Sequence, residues 1–500
     1  MTALERFLDT AHHIAAPPDV DPATLPPVYK RYPPGGAVAL HAASPLGGLL
    51  RQVAGVTRLR YVTGPAASGS GQVVGRRMLV RPAPSAGARY PIEVYAAVGT
   101  TADLPAGLYH YDPAHHVLDR VRAGDGRAVV TGCLADPPTE PPALVLVLTT
   151  VFWRNCSKYG QFGYRLQGLD AGVVVAQIVA LAGTAGLAAT VHLRFADESL
   201  DEVLGCDGDA EAAIAVVTVT PATRAPAPDP PQDPAGAARW HQPPARPRSP
   251  GTTLSDRTGY AELTALHRAA RATTAAGTGT ADPAGTAGNT GPTGTAGNTD
   301  VPPPDLGLPA VTPPDLTAGI ARRRTVLGYR RVALPVTDLA RLLVAAAQPY
   351  HGDAGTVALF CYALHVDGVP AGPYHYDAAY HRLRPTGPHR PADLVAAATS
   401  PRLRNELRAA ALVVFPVGRF DTGATHPGDR WYRMQNVGAG ALANRTCLAA
   451  AGGGLDSHVT CAYTPRLVDL ALGLPEPLTS LVLVTVGTAR PDRTLLQVAL

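Results

Sequence analysis

The chain has 500 residues, of which 46% are hydrophobic and 16% charged, and its formal net charge is +4. This length allows about two to four domains with apolar cores. The small charge excludes the chain-wide basic field that would favour nucleic acid or an anionic membrane, so we expect a soluble protein that binds neither.

The N-terminal segment and the cysteines predict a cytoplasmic location. "MTALERFLDTAHHIAAPPDV" has early acidic residues and no apolar core followed by a cleavage site, so it is not typical of a secretory signal. No apolar run reaches transmembrane length without interruption. The cysteines form no C-x-x-C pair, which indicates reduced thiols rather than disulfides or a metal centre. They are Cys133, Cys156, Cys206, Cys361, Cys447 and Cys461.

Short strands and turns dominate the beginning of the chain. From Gly69, "GSGQVVG" has the wrong glycine spacing for a dinucleotide-binding turn and leads into the strand pattern "RRMLV", so we predict a polar hairpin loop. From Gly107, "GLYHYDPAHHVLDRV" alternates apolar residues around an Asp-Pro turn, which predicts a β-hairpin. The chain also lacks the P-loop, zinc-protease and nucleophile-elbow motifs.

A polar break separates an apolar strand from an apolar helix in "FWRNCSKYGQFGYRLQGLDAG", which begins at Phe152. Lysine is scarce in this chain, yet Lys158 stands here beside Tyr159. The small and apolar residues that follow, from Tyr164 onward, predict a long buried helix that ends near Gly186.

Residues 221–314 are rich in proline, glycine, alanine and threonine, and "GTAGNT" occurs twice, at Gly285 and Gly294. Such a composition buries too little apolar surface to offset the entropy of ordering it, which predicts a flexible linker. One stretch within it, "DRTGYAELTALHRAARAT" from Asp256, predicts a helix.

The second half repeats the first in register. "GPYHYDAAYHRLRPT" from Gly372 repeats the hairpin pattern at an offset of 265 residues, and "YRMQNVGAGALANRTCLAAAGGG" from Tyr432 repeats the helix pattern at an offset of 268. We therefore predict an α+β fold of two tandem domains, residues 1–220 and 315–500, folded back on each other as an intramolecular pseudo-dimer.

The hairpin histidines recur with the repeat. His110, His115 and His116 lie close together in the first half, and His375 and His381 stand on the matching hairpin of the second. This recurrence favours structural polar positions over metal ligands.

The two halves differ where chemistry is expected. Lys158 and Tyr159 align with His426 and Pro427, so the second half lacks the pair. The first half also has the loop "PAPSAGARYP" from Pro82, whose counterpart keeps the proline and a glycine but loses the serine. Its candidate site residues are Pro84, Ser85, Ala86 and Gly87.

The second half has an arginine segment that the first half lacks. In "ARRRTVLGYRR", three consecutive arginines are followed by a hydroxyl; the residues are Arg322, Arg323, Arg324 and Thr325. By spacing to the next helix, the first-half counterpart is the weaker "VYKRYPP" around Lys30. Each half therefore holds what the other lacks.

Four motifs in order resemble a known family. "RPAPSAGARYPIEVYAAV", "GLYHYDPAHHVL", "KYGQFGYRLQGLDAG" and "LDEVLGCDGDAE" are similar to those of the azoline dehydrogenases of the nitroreductase-like, FMN-dependent superfamily. The resemblance covers most of residues 46–219, returns in weaker form over residues 320–487, and matches the tandem-duplicated form found in thiopeptide biosynthesis.

This resemblance implies an FMN enzyme that oxidises thiazolines or oxazolines to thiazoles or oxazoles in a ribosomally synthesised precursor peptide. It assigns catalysis to Lys158 and Tyr159. Aromatisation removes a proton from the ring carbon next to the carbonyl, which needs a base, and a hydride from its neighbour, which needs the flavin. Which of the two residues is the base stays open. The substrate would come from a cyclodehydratase complex.

Enzymes of this fold usually bind FMN between two subunits. Transferred here, the arginine segment of the second half would hold the phosphate and residues 84–87 of the first would meet the ring. We therefore expect one composite FMN site per chain. Two alternatives stay open: a general FMN nitroreductase or NAD(P)H oxidase, and a non-catalytic scaffold of a peptide-modifying complex.

Overall fold

The structure is a computed structural model of the whole chain. It describes residues 2–11, 19–65, 73–101, 103–222, 243–248, 253–272, 304–326, 328–353, 357–387, 390–420, 428–491 and 495–500. The repeat at Gly285 and Gly294 and the aligned pair His426 and Pro427 lie outside these residues, as does the tip of the loop "GSGQVVG".

The first half is built on an eight-stranded sheet in the order β1-β6-β5-β4-β7-β9-β8-β12. The predicted hairpin from Gly107 is confirmed, because β5 and β6 pair as antiparallel neighbours. The strands up to the linker are β1 Ala37–Ala39, β2 Arg58–Pro65, β3 Val73–Val80, β4 Ile92–Val98, β5 Gly107–Asp112, β6 Val117–Ala123, β7 Leu144–Val151, β8 Leu187–His192 and β9 Glu211–Pro221.

The second half repeats this order. Its sheet runs β10-β15-β14-β13-β16-β19-β11, with β17 paired to β19 and β18 to β16. The second predicted hairpin is formed by β14 and β15. The strands are β10 Leu306–Gly307, β11 Tyr329–Arg330, β12 His351–Gly352, β13 Ala358–Ala363, β14 Gly372–Asp377, β15 Arg382–Pro385, β16 Leu412–Arg419, β17 Asp456–Thr460, β18 Leu478–Ser480, β19 Leu483–Ala489 and β20 Leu495–Ala499.

One long helix from each half lies in the centre of the molecule, as the sequence predicts. The helices are α1 Ala3–Ala11, α2 Pro45–Ala54, α3 Arg127–Gly132, α4 Phe152–Tyr159, α5 Gly163–Thr184, α6 Asp197–Leu204, α7 Ala261–Ala269, α8 Thr317–Arg322, α9 Val336–Ala347, α10 Pro391–Ala396, α11 Pro401–Ala409, α12 Arg430–Gly452 and α13 Pro465–Leu472. The helical stretch Phe152–Thr184 has the length and hydropathy of a membrane span, but 83% of its apolar window is buried inside the protein, which is typical of a core helix.

Helices α5 and α12 cross at a pair of glycines. A Cβ on Gly172 would overlap the carbonyl oxygen of Val437, and a Cβ on Gly440 would overlap that of Leu169. The two glycines are 268 residues apart, so the closest approach of the helices lies on the pseudo-twofold axis. The backbones touch there because neither residue has a side chain.

Charged groups also join the halves. The buried carboxylate of Asp197 in the first half is paired with Arg430 and with Arg433, whose Nη1 donates to it at 3.0 Å, and both arginines belong to the second half. Burial alone would raise the pKa of Asp197, but the two guanidinium groups hold it below its usual value. The interface is therefore ionic as well as apolar.

Strands cross between the halves at two places. β12 of the second half pairs with β8 in the first sheet, and β20 near the C-terminus pairs with β2 to complete a three-stranded sheet with β3. The pairing of β2 with β3 confirms the strand "RRMLV" and its hairpin.

The predicted linker contains packed structure. Its predicted helix is confirmed as α7, and Leu263 and Leu266 on this helix are fully buried. Next to it, the hydroxyl of Tyr260 donates to the carbonyl of Cys156 at 3.0 Å. The helix therefore supports α4, which carries the lysine–tyrosine pair.

Candidate functional site between the two halves

A cavity of about 540 Å³ lies between the halves. Its volume is that of an ordinary small-molecule site. The first half supplies β2, β3, the loop of residues 84–88 and one face of α5, and the second half supplies residues 323–325, α12 and residues 457–462. The cavity thus brings together the proline–serine loop and the arginine segment, which are about 240 residues apart in sequence.

Four arginines line this cavity: Arg58, Arg60, Arg323 and Arg324. Burial, together with Arg58 and Arg60, lowers the pKa of Arg323 to about 10. Among the described residues that line the cavity, Asp170 is the single carboxylate. Such an excess of guanidinium groups fits an anionic ligand, above all a phosphate, which accepts bidentate hydrogen bonds from arginine.

Arg58 holds the arginine segment in place. It donates to the carbonyls of Arg323 at 2.7 Å, Ile320 at 2.7 Å and Ala321 at 2.6 Å, and so caps the C-terminal end of α8. Of the predicted phosphate ligands, Arg323, Arg324 and Thr325 line the cavity. Arg322 does not; it is exposed and donates to the carbonyl of Gly452 at 3.3 Å.

The predicted loop of residues 84–87 also lines the cavity. Asp170 on α5 accepts hydrogen bonds from the hydroxyl of Ser85 at 2.6 Å and from the amide of Ala86 at 3.0 Å. Burial raises the pKa of Asp170 to about 7, against the effect of these two hydrogen bonds. Arg323 reaches the start of the same loop, with Nε and Nη2 3.3 Å from the carbonyl oxygen of Pro82.

The lysine–tyrosine pair lies against the tip of this loop. A Cβ built on Gly87 would lie 2.5 Å from Lys158 Nζ and 2.5 Å from Tyr159 Oη, so a side chain there would displace both groups. Lys158 is exposed, and its Nζ lies 5.0 Å from the centre of the Tyr159 ring. Burial, with a contribution from Asp170, raises the pKa of Tyr159 to about 12, so its phenol is protonated at neutral pH.

The pseudo-twofold axis relates the cavity to a second place between the halves, which is closed by the chain itself. There β12 pairs directly with β8, and a Cβ on Gly352 would overlap the carbonyl oxygen of Val191. The carboxylate of Asp353 accepts the amides of Leu193 and Arg194. Strand contacts therefore fill the space that forms the cavity on the other side of the axis.

The segment around Lys30 is not a counterpart of the arginine segment, contrary to the expectation from spacing. Lys30 is buried on the face of the first sheet opposite α5, where its Nζ lies 2.6 Å from Glu211 and also donates to Tyr95. It does not line the cavity. The spacing to the next helix was therefore a poor guide to position.

The hairpin histidines have structural partners. His110 Nε2 lies 3.0 Å from Glu93, and the hydroxyls of Tyr111 and Tyr376 lie 2.8 Å from Nδ1 of His116 and His381. Within the described part of the chain, no group of three or more potential metal ligands occurs.

Fold and cavity together define a class of protein: a duplicated α+β domain folded as a pseudo-dimer, with an arginine-lined cavity between its halves. A solved protein from Anabaena variabilis, assigned to the nitroreductases, has the same fold; the match covers 98% of this chain and 100% of that one at 22% identity, with a TM-score of 0.72. Residues 54–219 and 320–488, more than half of the chain, match the nitroreductase family. The chain belongs to the nitroreductase family, whose members typically bind flavin.

Two relatives are peptide-processing proteins. The trifolitoxin-processing protein TfxB of Rhizobium leguminosarum bv. trifolii is 30% identical over 142 residues, which are 27% of this chain and 38% of that one. The microcin B17-processing protein McbC of Escherichia coli is 29% identical over 134 residues, which are 25% of this chain and 49% of that one. The chain thus spans half or less of the length of these two relatives. They confirm the resemblance inferred from the four motifs.

Sequence reasoning missed three of the residues at the cavity. Arg58 and Arg60 alternate on β2 in "TRLRYV", and this period of two was a signal that both side chains lie on one face. Asp170 lies in the quoted "GLDAG", but nothing in a single sequence links it to Ser85. That link depends on how α5 packs against the loop.

Proposed function

We propose that this protein is an FMN-dependent dehydrogenase that oxidises azolines to azoles in a ribosomally synthesised peptide. The observation that carries the proposal is the composite cavity, whose lining includes four arginines, the loop of residues 84–88 and Tyr159, with Lys158 against Gly87 of that loop. The two peptide-processing relatives support the substrate class.

The lining residues fit FMN. Arg60, Arg323, Arg324 and Thr325 would hold the phosphate, and the loop of residues 84–88 would meet the ring with small residues that allow close backbone approach. When bound, FMN would supply a two-electron acceptor for the hydride that leaves the azoline ring. Because the pseudo-symmetric position is closed by β12 and Asp353, we expect one FMN per chain.

Lys158 and Tyr159 would assist the removal of the proton from the azoline ring carbon. Since Tyr159 is a protonated phenol at neutral pH, it would donate a hydrogen bond to the azoline or its neighbouring carbonyl. Lys158, exposed beside Gly87 and Tyr159, would then take the proton from the ring carbon; this step uses its neutral amine, which is the minor form of an exposed lysine at neutral pH. We propose this division of roles for the question of the base, which the sequence left open.

The position of Lys158 suits a large substrate. Because Lys158 is exposed, a peptide could present one ring at a time to the cavity and leave the rest of its length outside. The peptide would be an azoline-containing precursor, delivered by a cyclodehydratase complex that forms the rings.

The test combines cofactor content with peptide oxidation. Purified protein is expected to release one FMN per chain on denaturation and, in air, to remove two hydrogen atoms from each azoline of a synthetic peptide, as followed by mass spectrometry. Lys158→Ala is expected to keep its FMN and lose the oxidation. The exposed Arg322→Ala variant is the matched control and should keep both.

Other outcomes would reject the proposal. Rapid oxidation of NADH or NADPH that does not depend on Lys158, without any peptide oxidation, would indicate a general nitroreductase. Absence of FMN, even after reconstitution, would indicate a scaffold. Two FMN per chain would contradict the single composite site.

A further inference from the structure

The loop next to the lysine–tyrosine pair is held by one carboxylate. We propose that Asp170 is a positioning residue that fixes residues 85–90 so that Gly87 sits against Lys158 and Tyr159. The inference rests on the proposed function for its effect on catalysis, but its effect on the loop can be measured without any substrate.

Asp170 joins both ends of the loop. It accepts the hydroxyl of Ser85 at 2.6 Å and the amide of Ala86 at 3.0 Å. The oxygen of Ser85 in turn accepts the amide of Tyr90 at 2.8 Å, which closes the loop. The carboxylate is buried on the core helix α5, so the loop is tied to a buried element of regular secondary structure.

The loop needs such an anchor because its backbone is strained. Gly87, Ala88 and Tyr90 have φ values of 59°, 55° and 48°, in the left-handed region. Ala88 and Tyr90 have side chains that disfavour this region, so surrounding contacts must maintain it. Without the bonds to Asp170, we expect these residues to relax towards ordinary conformations.

The second half provides an internal comparison. The residue 268 positions after Asp170 is Gly438, and the residue 265 positions after Ser85 is Tyr350. There the corresponding loop is bound to β8 through β12. The carboxylate and the serine therefore occur together in the half whose loop borders the cavity, and both are missing from the other.

A small movement of the loop would reach the reacting groups. The tip of the loop touches Lys158 Nζ and Tyr159 Oη through Gly87, so a shift there changes where both can lie. A displacement of about 1 Å can lower a rate about 100-fold without abolishing binding. The arginines proposed to hold the phosphate lie outside this loop, and we therefore expect the affinity for FMN to be kept.

The experiment compares Asp170→Asn, Ser85→Ala and the double variant. In Asp170→Asn one orientation of the amide loses the acceptor of the Ser85 hydroxyl, and the other loses the 3.0 Å hydrogen bond from the amide of Ala86 and keeps only the contact at 3.3 Å. We expect kcat for the azoline peptide to fall about 10- to 100-fold while KM and the Kd for FMN change by less than about threefold. The double variant should be no slower than the slower single variant, because both residues act through one network.

Hydrogen exchange gives a readout that does not depend on activity. In substrate-free Asp170→Asn, the amides of Ala86 and Tyr90 should exchange at least about 10-fold faster than in the wild type. The control is Asp469→Asn. Asp469 also accepts a hydroxyl, from Thr479 at 2.8 Å, and an amide, from Ser480 at 2.8 Å, but it does not line the cavity.

Each outcome decides the proposal. Unchanged kcat, unchanged exchange, an equal loss in Asp469→Asn, or a fall in FMN affinity as steep as the fall in kcat would each overturn it. If the wild type shows no azoline oxidation, the proposed function fails, while faster exchange in Asp170→Asn would still establish that this residue holds the loop.

Discussion

Replacement of Asp170 by asparagine should change how stability depends on pH. Burial raises the pKa of Asp170 from 3.8 to about 7 in the folded protein. Between these values the unfolded chain releases a proton that the folded protein keeps. Stability from this group is therefore fully present at low pH and is lost as the pH rises through 7.

The size of the effect follows from the shift. With a difference of about three pKa units, the folded wild type loses about 4 kcal/mol of stability between low pH and pH 8. About 1.5 kcal/mol of this loss has already occurred at pH 5. Asparagine does not titrate. Relative to the wild type, the free energy of unfolding of Asp170→Asn should therefore be about 2–3 kcal/mol higher at pH 8 than at pH 5.

Urea denaturation of both proteins at the two pH values measures this difference, and all other titrating groups cancel in the comparison. Asp338→Asn is the control, because it removes a carboxylate in a surface ion pair with Arg341 and should give a change below about 1 kcal/mol. If the relative stability of Asp170→Asn were the same at pH 5 and pH 8, the burial argument would be refuted.

Three further predictions concern other parts of the chain. An amine-reactive reagent should modify the exposed Lys158 and stop peptide oxidation. Lys30, which is buried against a glutamate, should stay unmodified; equal modification of both lysines in peptide mass spectrometry would contradict this prediction. Asp197→Ala should lower the free energy of unfolding by about 3–5 kcal/mol, because two buried arginines lose their carboxylate. Gly172→Val should cost about 3 kcal/mol or more by forcing the central helices apart, whereas Gly183→Val, with open space around it, should cost far less in the same urea titration.

Much of this fold could be predicted because its signals are local and occur twice. The hairpins from Gly107 and Gly372 and the long helices from Tyr164 and Tyr432 each have a pattern readable within about 25 residues, and the repeat confirms each one. The loop and the arginine segment could be paired through the family resemblance, because each was missing from the other half.

The remaining features depend on contacts between distant segments. The hydrogen bond of Ser85 to Asp170 joins residues that are 85 positions apart in the chain. The capping of α8 by Arg58 spans 262 positions, and the contacts of Asp353 with β8 and the residues after it span 159 or more. No periodicity or turn signal records such contacts. The position of Lys30 was misjudged for the same reason.

The glycine crossing at Gly172 and Gly440 has an evolutionary consequence. In a homodimer, every substitution is made twice, once on each side of the twofold axis, so a loop cannot be opened on one side and closed on the other. Once the two copies share one chain, each position mutates alone. The crossing on the axis is kept in both halves, whereas the loops beside it differ: one borders the cavity and the other pairs with β8.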